Sequence, residues 1–124
     1  MAVATNNPDE VDALLPLQPA EFHILLALSG GECHGYGIIQ NVEARTNGVL
    51  RLSPGTLYRT IQRLLEEGLV EEPRNPAGPL ARNAPKRRYY RITRLGTAVA
   101  RAETQRLSEL VRLAKHVWRT AVSS

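Results

Sequence analysis

A proline-rich stretch in the second half of the chain places the strongest limit on its fold. Residues 73–85, PRNPAGPLARNAP, hold four prolines, which lack a backbone N–H and interrupt both helices and sheets. Residues that favour strands flank this stretch on both sides, at Leu69–Glu72 and at Lys86–Ile92. The sequence therefore predicts a β-hairpin with a long loop, with helical segments before and after it.

Helix signals surround this hairpin. Residues typical of helix ends, such as proline in the first turn and glycine after the last, predict three short helices before the hairpin. These helices begin near Pro19, His34 and Pro54. Thr93 is predicted to cap a last helix that runs to about Ala121. At ~1.5 Å per residue that helix is about 40 Å long. The sequence thus predicts a mainly α protein with a small β-hairpin.

The third predicted helix has two different faces. At ~100° per residue its apolar face consists of Leu57, Ile61, Leu64 and Leu65. Its polar face consists of Thr56, Arg59, Gln62 and Arg63. Both arginines precede the two glutamates of the helix, the reverse of the order that the helix dipole favours. Such a face is typical of a surface that approaches phosphates and base edges, with a plain solvated face as the alternative.

The charge distribution supports a negatively charged partner. The net charge is +4, but residues 1–50 balance to −5, residues 51–94 to +6 and residues 95–124 to +3. Seven basic residues and no acid lie within residues 73–94. Three helices followed by a hairpin with a basic tip is the order of a winged helix-turn-helix, in which the third helix enters the major groove. The sequence therefore predicts a double-stranded DNA-binding protein.

Other classes of protein are disfavoured by what the sequence contains. Cys33 is the single cysteine, so an intrachain disulfide is excluded and a reducing compartment is indicated. The first residues lack a signal-peptide pattern, and the longest apolar run, Ile24–Leu28, is too short to cross a membrane. We expect a cytoplasmic protein without a membrane partner. An enzyme is not predicted, because the sequence shows neither paired carboxylates nor a nucleophile–base arrangement.

The histidines do not have the spacing of a metal site. His23, His34 and His116 are scattered along the chain, so we expect no metal and no cofactor, and a structural role for His34. A redox role for Cys33 is an alternative without a cationic neighbour to support it, unless His34 is protonated.

Four motifs together resemble the PadR family of transcriptional regulators. They are HGYGI at 34–38, LSPGTLY at 52–58, the segment 64–69 that ends in EEGL, and RYYRIT at 88–93 with the following Leu95-Gly96. The resemblance extends from Leu17 to Thr104. It implies a dimeric winged-helix DNA-binding protein, commonly a repressor, whose single C-terminal helix mediates dimerisation, as in the short subgroup. The loop at 73–85 departs from the family pattern because it is longer and richer in proline.

The resemblance places the DNA surface on the start of the second helix, on the third helix and on the wing. The resemblance itself supplies Tyr36 at the start of the second helix. Residue chemistry selects within the rest of that surface Ser53, Thr56, Arg59, Arg63, Arg87 and Arg88. Tyr89 and Tyr90 alternate across a strand, so one is expected in the core and one near DNA, and Tyr90 is assigned to the DNA. The side on which Tyr58 faces stays open.

The last helix is predicted to form the dimer interface. From Leu107 onward its apolar residues recur at steps of three and four, a short heptad pattern. The predicted interface residues are Leu107, Leu110, Ala114, Val117 and Trp118. For Trp118 an anchor in the dimer core is favoured over the alternative, a wall of a pocket for an aromatic small-molecule effector.

These features predict a homodimeric, sequence-specific transcriptional regulator, a repressor that binds a palindromic operator through helix 54–67 and wing 73–88. The predicted organisation is a flexible arm at 1–16, the winged helix-turn-helix at 17–93 and a dimerisation helix at 94–124. The alternative is a winged-helix module that binds RNA or an acidic protein without operator specificity.

Overall fold

The structure of the chain, a computed structural model, describes residues 7–74 and 88–123. The described elements are α1 (Pro8–Asp12), α2 (Pro19–Leu28), β1 (Cys33–His34), α3 (Gly35–Arg45), α4 (Pro54–Glu66), β2 (Val70–Glu71), β3 (Tyr89–Ile92) and α5 (Arg94–Ser123). The predicted fold, mainly α with a small β element and a long C-terminal helix, is confirmed.

Local capping explains where α3 and α4 begin. His34 Nδ1 accepts a hydrogen bond from the Gly37 N–H at 3.0 Å, so His34 has a structural role, as predicted. Ser53 Oγ accepts a hydrogen bond from the Thr56 N–H at 3.1 Å, as expected of a serine N-cap. After α4, Gly68 adopts a φ of 77°, which other residues disfavour, and turns the chain into β2.

The core lies where α2, α3 and α4 meet the sheet and the first half of α5. Its largest fully buried side chains are Tyr90, Ile24, Leu25, Leu28, Ile38, Leu57, Ile61, Leu64, Leu69, Val42 and Val99. Burying one such aliphatic side chain contributes about 1.5–3 kcal/mol relative to leaving it in water. The core therefore fixes the orientation of α4 through three of that helix's own residues, Leu57, Ile61 and Leu64.

The sheet has three antiparallel strands in the order β1-β3-β2. β2 pairs with β3 with Val70 opposite Ile92, which confirms the predicted pairing of the strands on either side of the proline-rich stretch. β1 adds a third strand that the sequence did not predict, with Cys33 opposite Tyr90. Most of the predicted wing loop, residues 75–87, lies outside the described residues.

Of the predicted flexible arm, 1–16, the structure describes residues 7–16, and these include the short helix α1. Within residues 7–16 of the predicted arm, α1 packs against α5, and Val11 is buried with 9% of its surface exposed. Leu14 and Leu15 pack against the same core. The polar and acidic residues of the arm obscured these few apolar side chains, whose burial orders the segment.

The start of α5 is held tightly to the end of α4. Thr93 Oγ1 accepts a hydrogen bond from the Gly96 N–H at 2.9 Å and donates one to the Gly68 carbonyl at 2.7 Å. A Cβ on Gly96 would overlap the Leu69 carbonyl oxygen and lie 2.8 Å from Cγ1 of Ile92. Only glycine permits this close approach of α5 to the sheet.

Candidate nucleic-acid interface

The two faces of α4 are as predicted. Leu57, Ile61 and Leu64 are at most 2% exposed and face the core. Arg59 and Arg63 are exposed on the opposite side. The period of the helix is enough to separate the two sets, because each apolar residue follows the previous one by three or four positions. α4 therefore presents an arginine-bearing face to the outside.

The start of α4 is a linked set of polar side chains, Ser53, Thr56 and Arg59. Ser53 Oγ donates a hydrogen bond to Thr56 Oγ1 at 3.1 Å. Arg59 Nη2 donates to the same Thr56 oxygen at 3.5 Å. Beside them, a Cβ on Gly55 would meet no atom within 4 Å. This end of the helix combines pre-oriented polar groups with open space for a close approach.

Arg63 contacts a carboxylate that comes from another helix. Its Nε lies 3.7 Å from Oε2 of Glu21, which belongs to the first turn of α2. The Arg63 side chain is 61% exposed, whereas the Glu21 side chain is 7% exposed. Sequence reasoning missed this pair because its members lie on separate helices, and no local spacing connects them.

One tyrosine lies on α3 and another on α4, Tyr36 and Tyr58. Tyr36 is 62% exposed at the start of α3, in keeping with its prediction as a surface residue. Tyr58, whose side the sequence left open, is 49% exposed, and its ring covers Gly35. A Cβ on Gly35 would overlap the Tyr58 hydroxyl and lie 2.8 Å from its Cζ. Tyr58 is thus a half-exposed residue that holds α4 against α3.

The assignment of Tyr90 to the DNA surface is wrong. Tyr90 is 1% exposed, since the inward side of β3 at that position faces the core. Burial is the main cause that raises the pKa of its hydroxyl, and a hydrogen bond with Arg88 opposes the rise. Tyr89 is the tyrosine that is partly exposed, and its ring lies edge-on to His34 with centroids 5.6 Å apart.

The wing contributes one described candidate. Arg88 is exposed and hydrogen-bonds the Tyr90 hydroxyl at the inner end of the wing. Arg87, the other predicted wing residue, lies outside the described residues. DNA contact by either arginine stays a prediction.

Part of the positive charge near the wing is neutralised within the protein. Arg91 Nη2 lies 2.8 Å from Oε2 of Glu71, and Arg91 Nη1 lies 3.5 Å from Oε2 of Glu32. Residues 73–94 contain no acid in the sequence, but in the structure Glu32 and Glu71 lie close to one of their arginines, Arg91. Strand pairing brings Glu71 opposite Arg91, a contact that only the register of the sheet reveals.

The second half of α5 exposes apolar side chains. Of the predicted interface residues, Leu110 is 50%, Val117 48% and Trp118 68% exposed, whereas Leu107 and Ala114 are half-buried. Further exposed apolar residues, which the prediction did not include, are Val111, Leu113 and Val122. A surface this apolar on a monomer is typical of an interaction site.

The structure offers no support for a metal or redox site. No group of three metal-ligating side chains occurs among residues 7–74 and 88–123. Cys33 is half-buried, and burial raises the pKa of its thiol. A raised pKa disfavours the reactive thiolate, which weakens the redox alternative for this cysteine. Across the described part of the chain, every helix is too short or too polar to span a bilayer.

The sequence is similar to those of known proteins. Residues 24–102 match the Transcriptional regulator PadR-like family. Transcriptional regulator Rv3488 of Mycobacterium tuberculosis is 37% identical over 90 residues, which cover 73% of this chain and 77% of that protein. Protein X of Lysinibacillus sphaericus is 37% identical over 79 residues, covering 64% of this chain and 62% of its own length.

A solved structure supports the fold. A transcriptional regulator from Clostridium thermocellum superimposes with a TM-score of 0.65 at 21% identity, covering 90% of this chain and 97% of that one. The matched proteins named as regulators belong to a class of proteins that are in general not enzymes.

Proposed function

Because the chain belongs to the PadR-like family of transcriptional regulators, we propose that it binds double-stranded DNA sequence-specifically, as a homodimer, and represses transcription from a palindromic operator. The observation that carries this proposal is the outer face of α4. There, Arg59 and Arg63 are exposed beside a hydrogen-bonded Ser53–Thr56 start that is open to close approach.

α4 acts as the recognition helix in this proposal. Arg59 and Arg63 read base edges, because a guanidinium can donate two hydrogen bonds to the acceptors of guanine in the major groove. Ser53, Thr56 and Tyr36 contact phosphates near the open end of α4, where the helix dipole favours negative charge. Arg87 and Arg88 bind the DNA backbone from the wing and contribute affinity rather than selectivity.

The apolar surface of α5 forms the dimer interface in this proposal, and a second copy of the chain is its partner. Leu110, Val117 and Trp118 expose about half or more of their surface, and the heptad pattern fits a second α5. Trp118 serves as an anchor of that interface. The alternative, a small aromatic effector bound beside Trp118, would use the open depression that Trp118 lines together with Lys115, Arg119 and Val122.

The symmetry of the proposed dimer determines the symmetry of the operator. A two-fold axis between the copies places two α4 helices on the DNA in opposite directions, so the operator is an inverted repeat. Its half-sites lie about 34 Å apart, one turn of B-DNA, so that both helices meet the same side of the duplex. Such a role places the protein in the cytoplasm with the chromosome.

Selection of DNA from a random-sequence duplex pool, followed by affinity measurements on the selected operator, tests the function. We expect an inverted-repeat sequence to be enriched and bound with an affinity that falls steeply with salt. Arg59→Ala and Arg63→Ala should each reduce discrimination at particular base pairs by about tenfold or more.

Arg101→Ala, which changes an exposed arginine on α5, is the matched control for loss of positive charge. Unchanged discrimination by both α4 variants would contradict the assignment of α4 as the recognition helix. Failure of the wild-type protein to enrich any sequence would contradict the proposed function itself.

A further inference from the structure

Glu21 is a buried acid that faces the recognition helix. Only 5% of its surface is exposed. Its Oε1 accepts a hydrogen bond from the Gln18 N–H at 2.8 Å, which caps the start of α2. Its Oε2 lies 3.7 Å from Nε of Arg63 on α4. One carboxylate thus serves two helices, with one oxygen turned to each.

The negative charge of Glu21 requires an explanation beyond capping. A buried carboxylate costs free energy of solvation, and an acid beside a DNA-binding face repels phosphates. Capping at this position needs only an acceptor oxygen, which glutamine supplies equally well. The dipole of α2 offsets part of that cost, because Glu21 lies in the first turn of the helix, and the other oxygen of the carboxylate faces the positive charge of Arg63.

Holding an arginine by its Nε leaves the rest of its guanidinium directed elsewhere. The group is planar, and its donors point along fixed directions in that plane. Glu21 is fixed by the core and by its hydrogen bond to Gln18, so it attracts the Nε edge of the Arg63 guanidinium as an ion pair from a fixed position, at 3.7 Å and without a hydrogen bond. Arg63 remains 61% exposed, which leaves its terminal nitrogens accessible to a groove.

From this geometry we propose that Glu21 is a positioning residue that fixes the Arg63 guanidinium for base reading, and this inference rests on the proposed DNA-binding function. Pre-orientation removes rotamers that an arginine loses on binding, and it favours one base-pair register over others. Arg59 is positioned in a different way, through the hydroxyl of Thr56 on its own helix. The two reading arginines are therefore set independently of each other.

Glu21→Gln tests the inference because it keeps the capping oxygen and removes the charge. The probe is the duplex that the wild-type protein selects, together with variants in which each base pair is replaced in turn. We expect Glu21→Gln to reduce discrimination at the base pair read by Arg63 by about tenfold. Affinity for unselected DNA should stay the same or rise, since an acid is lost near the phosphates.

The exposed pair of Glu43 and Arg51 provides the matched control. Its atoms lie 3.5 Å apart, with side chains 43% and 74% exposed. Glu43→Gln also removes an acid paired with an arginine close to α4, so it should reproduce any general gain in affinity. It should leave the base preferences at wild-type values. Thermal unfolding of both variants verifies that the fold is retained.

Two further variants separate positioning from a structural role. Arg63→Lys keeps the charge of the side chain and does not alter α2, but it lacks the planar fork. We expect Arg63→Lys to lose the same base preference as Glu21→Gln while its salt dependence stays that of the wild type. In an Arg63→Ala background, Glu21→Gln should have no further effect on discrimination.

The outcomes distinguish this inference from the function on which it rests. Wild-type discrimination by Glu21→Gln, or an equal loss in the Arg63→Ala background, would overturn the inference and leave the DNA-binding function standing. Absence of any enriched sequence with the wild-type protein would overturn both.

Discussion

The outer face of α4 and the second half of α5 both point away from the core, but their chemistry is opposite. The α4 face carries arginines and hydroxyls, whereas Leu110, Val117 and Trp118 give the α5 face an apolar surface. Water solvates the first face well, so covering it is favourable only when a polyanion replaces that water and releases counterions. The second face gains free energy from any apolar cover. Exposure alone therefore does not define a partner, and the chemistry of the exposed atoms does.

The largest expected effect comes from placing a charge on the apolar face. Leu110→Asp should prevent dimerisation and lower operator affinity by about 100-fold or more, because a monomer binds one half-site and forgoes the effective concentration of the second. Analytical ultracentrifugation and fluorescence anisotropy measure the two effects. Ser108→Asp adds the same charge on another side of α5 and should change neither. A dimer that persists in Leu110→Asp would place the interface elsewhere.

Substitution of the wing arginines tests the contribution of positive charge to DNA binding. Arg87→Ala and Arg88→Ala should each weaken binding to all sequences alike and reduce the slope of log affinity against log salt by about one. Near 0.2 M salt that corresponds to a loss of roughly fourfold in affinity for each residue. Salt titrations on the operator and on unselected DNA measure this slope. A loss confined to the operator would instead make the wing a reader of bases.

Gly55→Ala separates the stability of α4 from its function. Nothing in the described structure lies within 4 Å of a Cβ at this position, so alanine fits without strain. Replacing a helical glycine should raise the free energy of unfolding by about 0.5–1 kcal/mol. The same methyl group should weaken operator binding, because it obstructs the close approach of DNA. Denaturant unfolding and anisotropy measure the two values, and tighter operator binding would contradict a close approach at this point.

The smallest expected effect concerns the middle of α5, where Arg106 donates hydrogen bonds of 2.8 Å to Glu103. This contact is the main cause that holds the pKa of the Glu103 carboxyl below its ordinary value. A depressed carboxyl pKa contributes stability that is fully present above the unfolded value, about 4.3, and is lost as pH falls through the folded value. Arg106→Ala should therefore show a shallower loss of stability below about pH 5, measured by unfolding at a series of pH values. A slope equal to that of the wild type would contradict the linkage.

Local sequence patterns predicted the parts of the molecule that depend on neighbouring residues. The apolar period of α4 identified the positions that face the core, and the Ser53 and Thr93 caps located the starts of α4 and α5. These features depend on residues three or four positions apart, within reach of a sequence pattern.

Contacts between distant segments were not predictable in the same way. The side of β3 that faces the core depends on its register with β1 and β2, so the choice between Tyr89 and Tyr90 was wrong. Glu21 contacts Arg63 only after two helices pack together. Contacts of individual residues with DNA are harder still to predict from the sequence, because they depend on where a second molecule binds.

The absence of a side chain at Gly96 lets the start of α5 lie directly against Leu69 and Ile92. Burial of Val99, Ala100 and Glu103 holds the following turns of the helix to the core. The rest of α5, residues 104–123, extends about 30 Å from the core at ~1.5 Å per residue. In the proposed dimer, the angle at which α5 leaves the core therefore sets the distance between the two α4 helices, and with it the spacing of the operator half-sites.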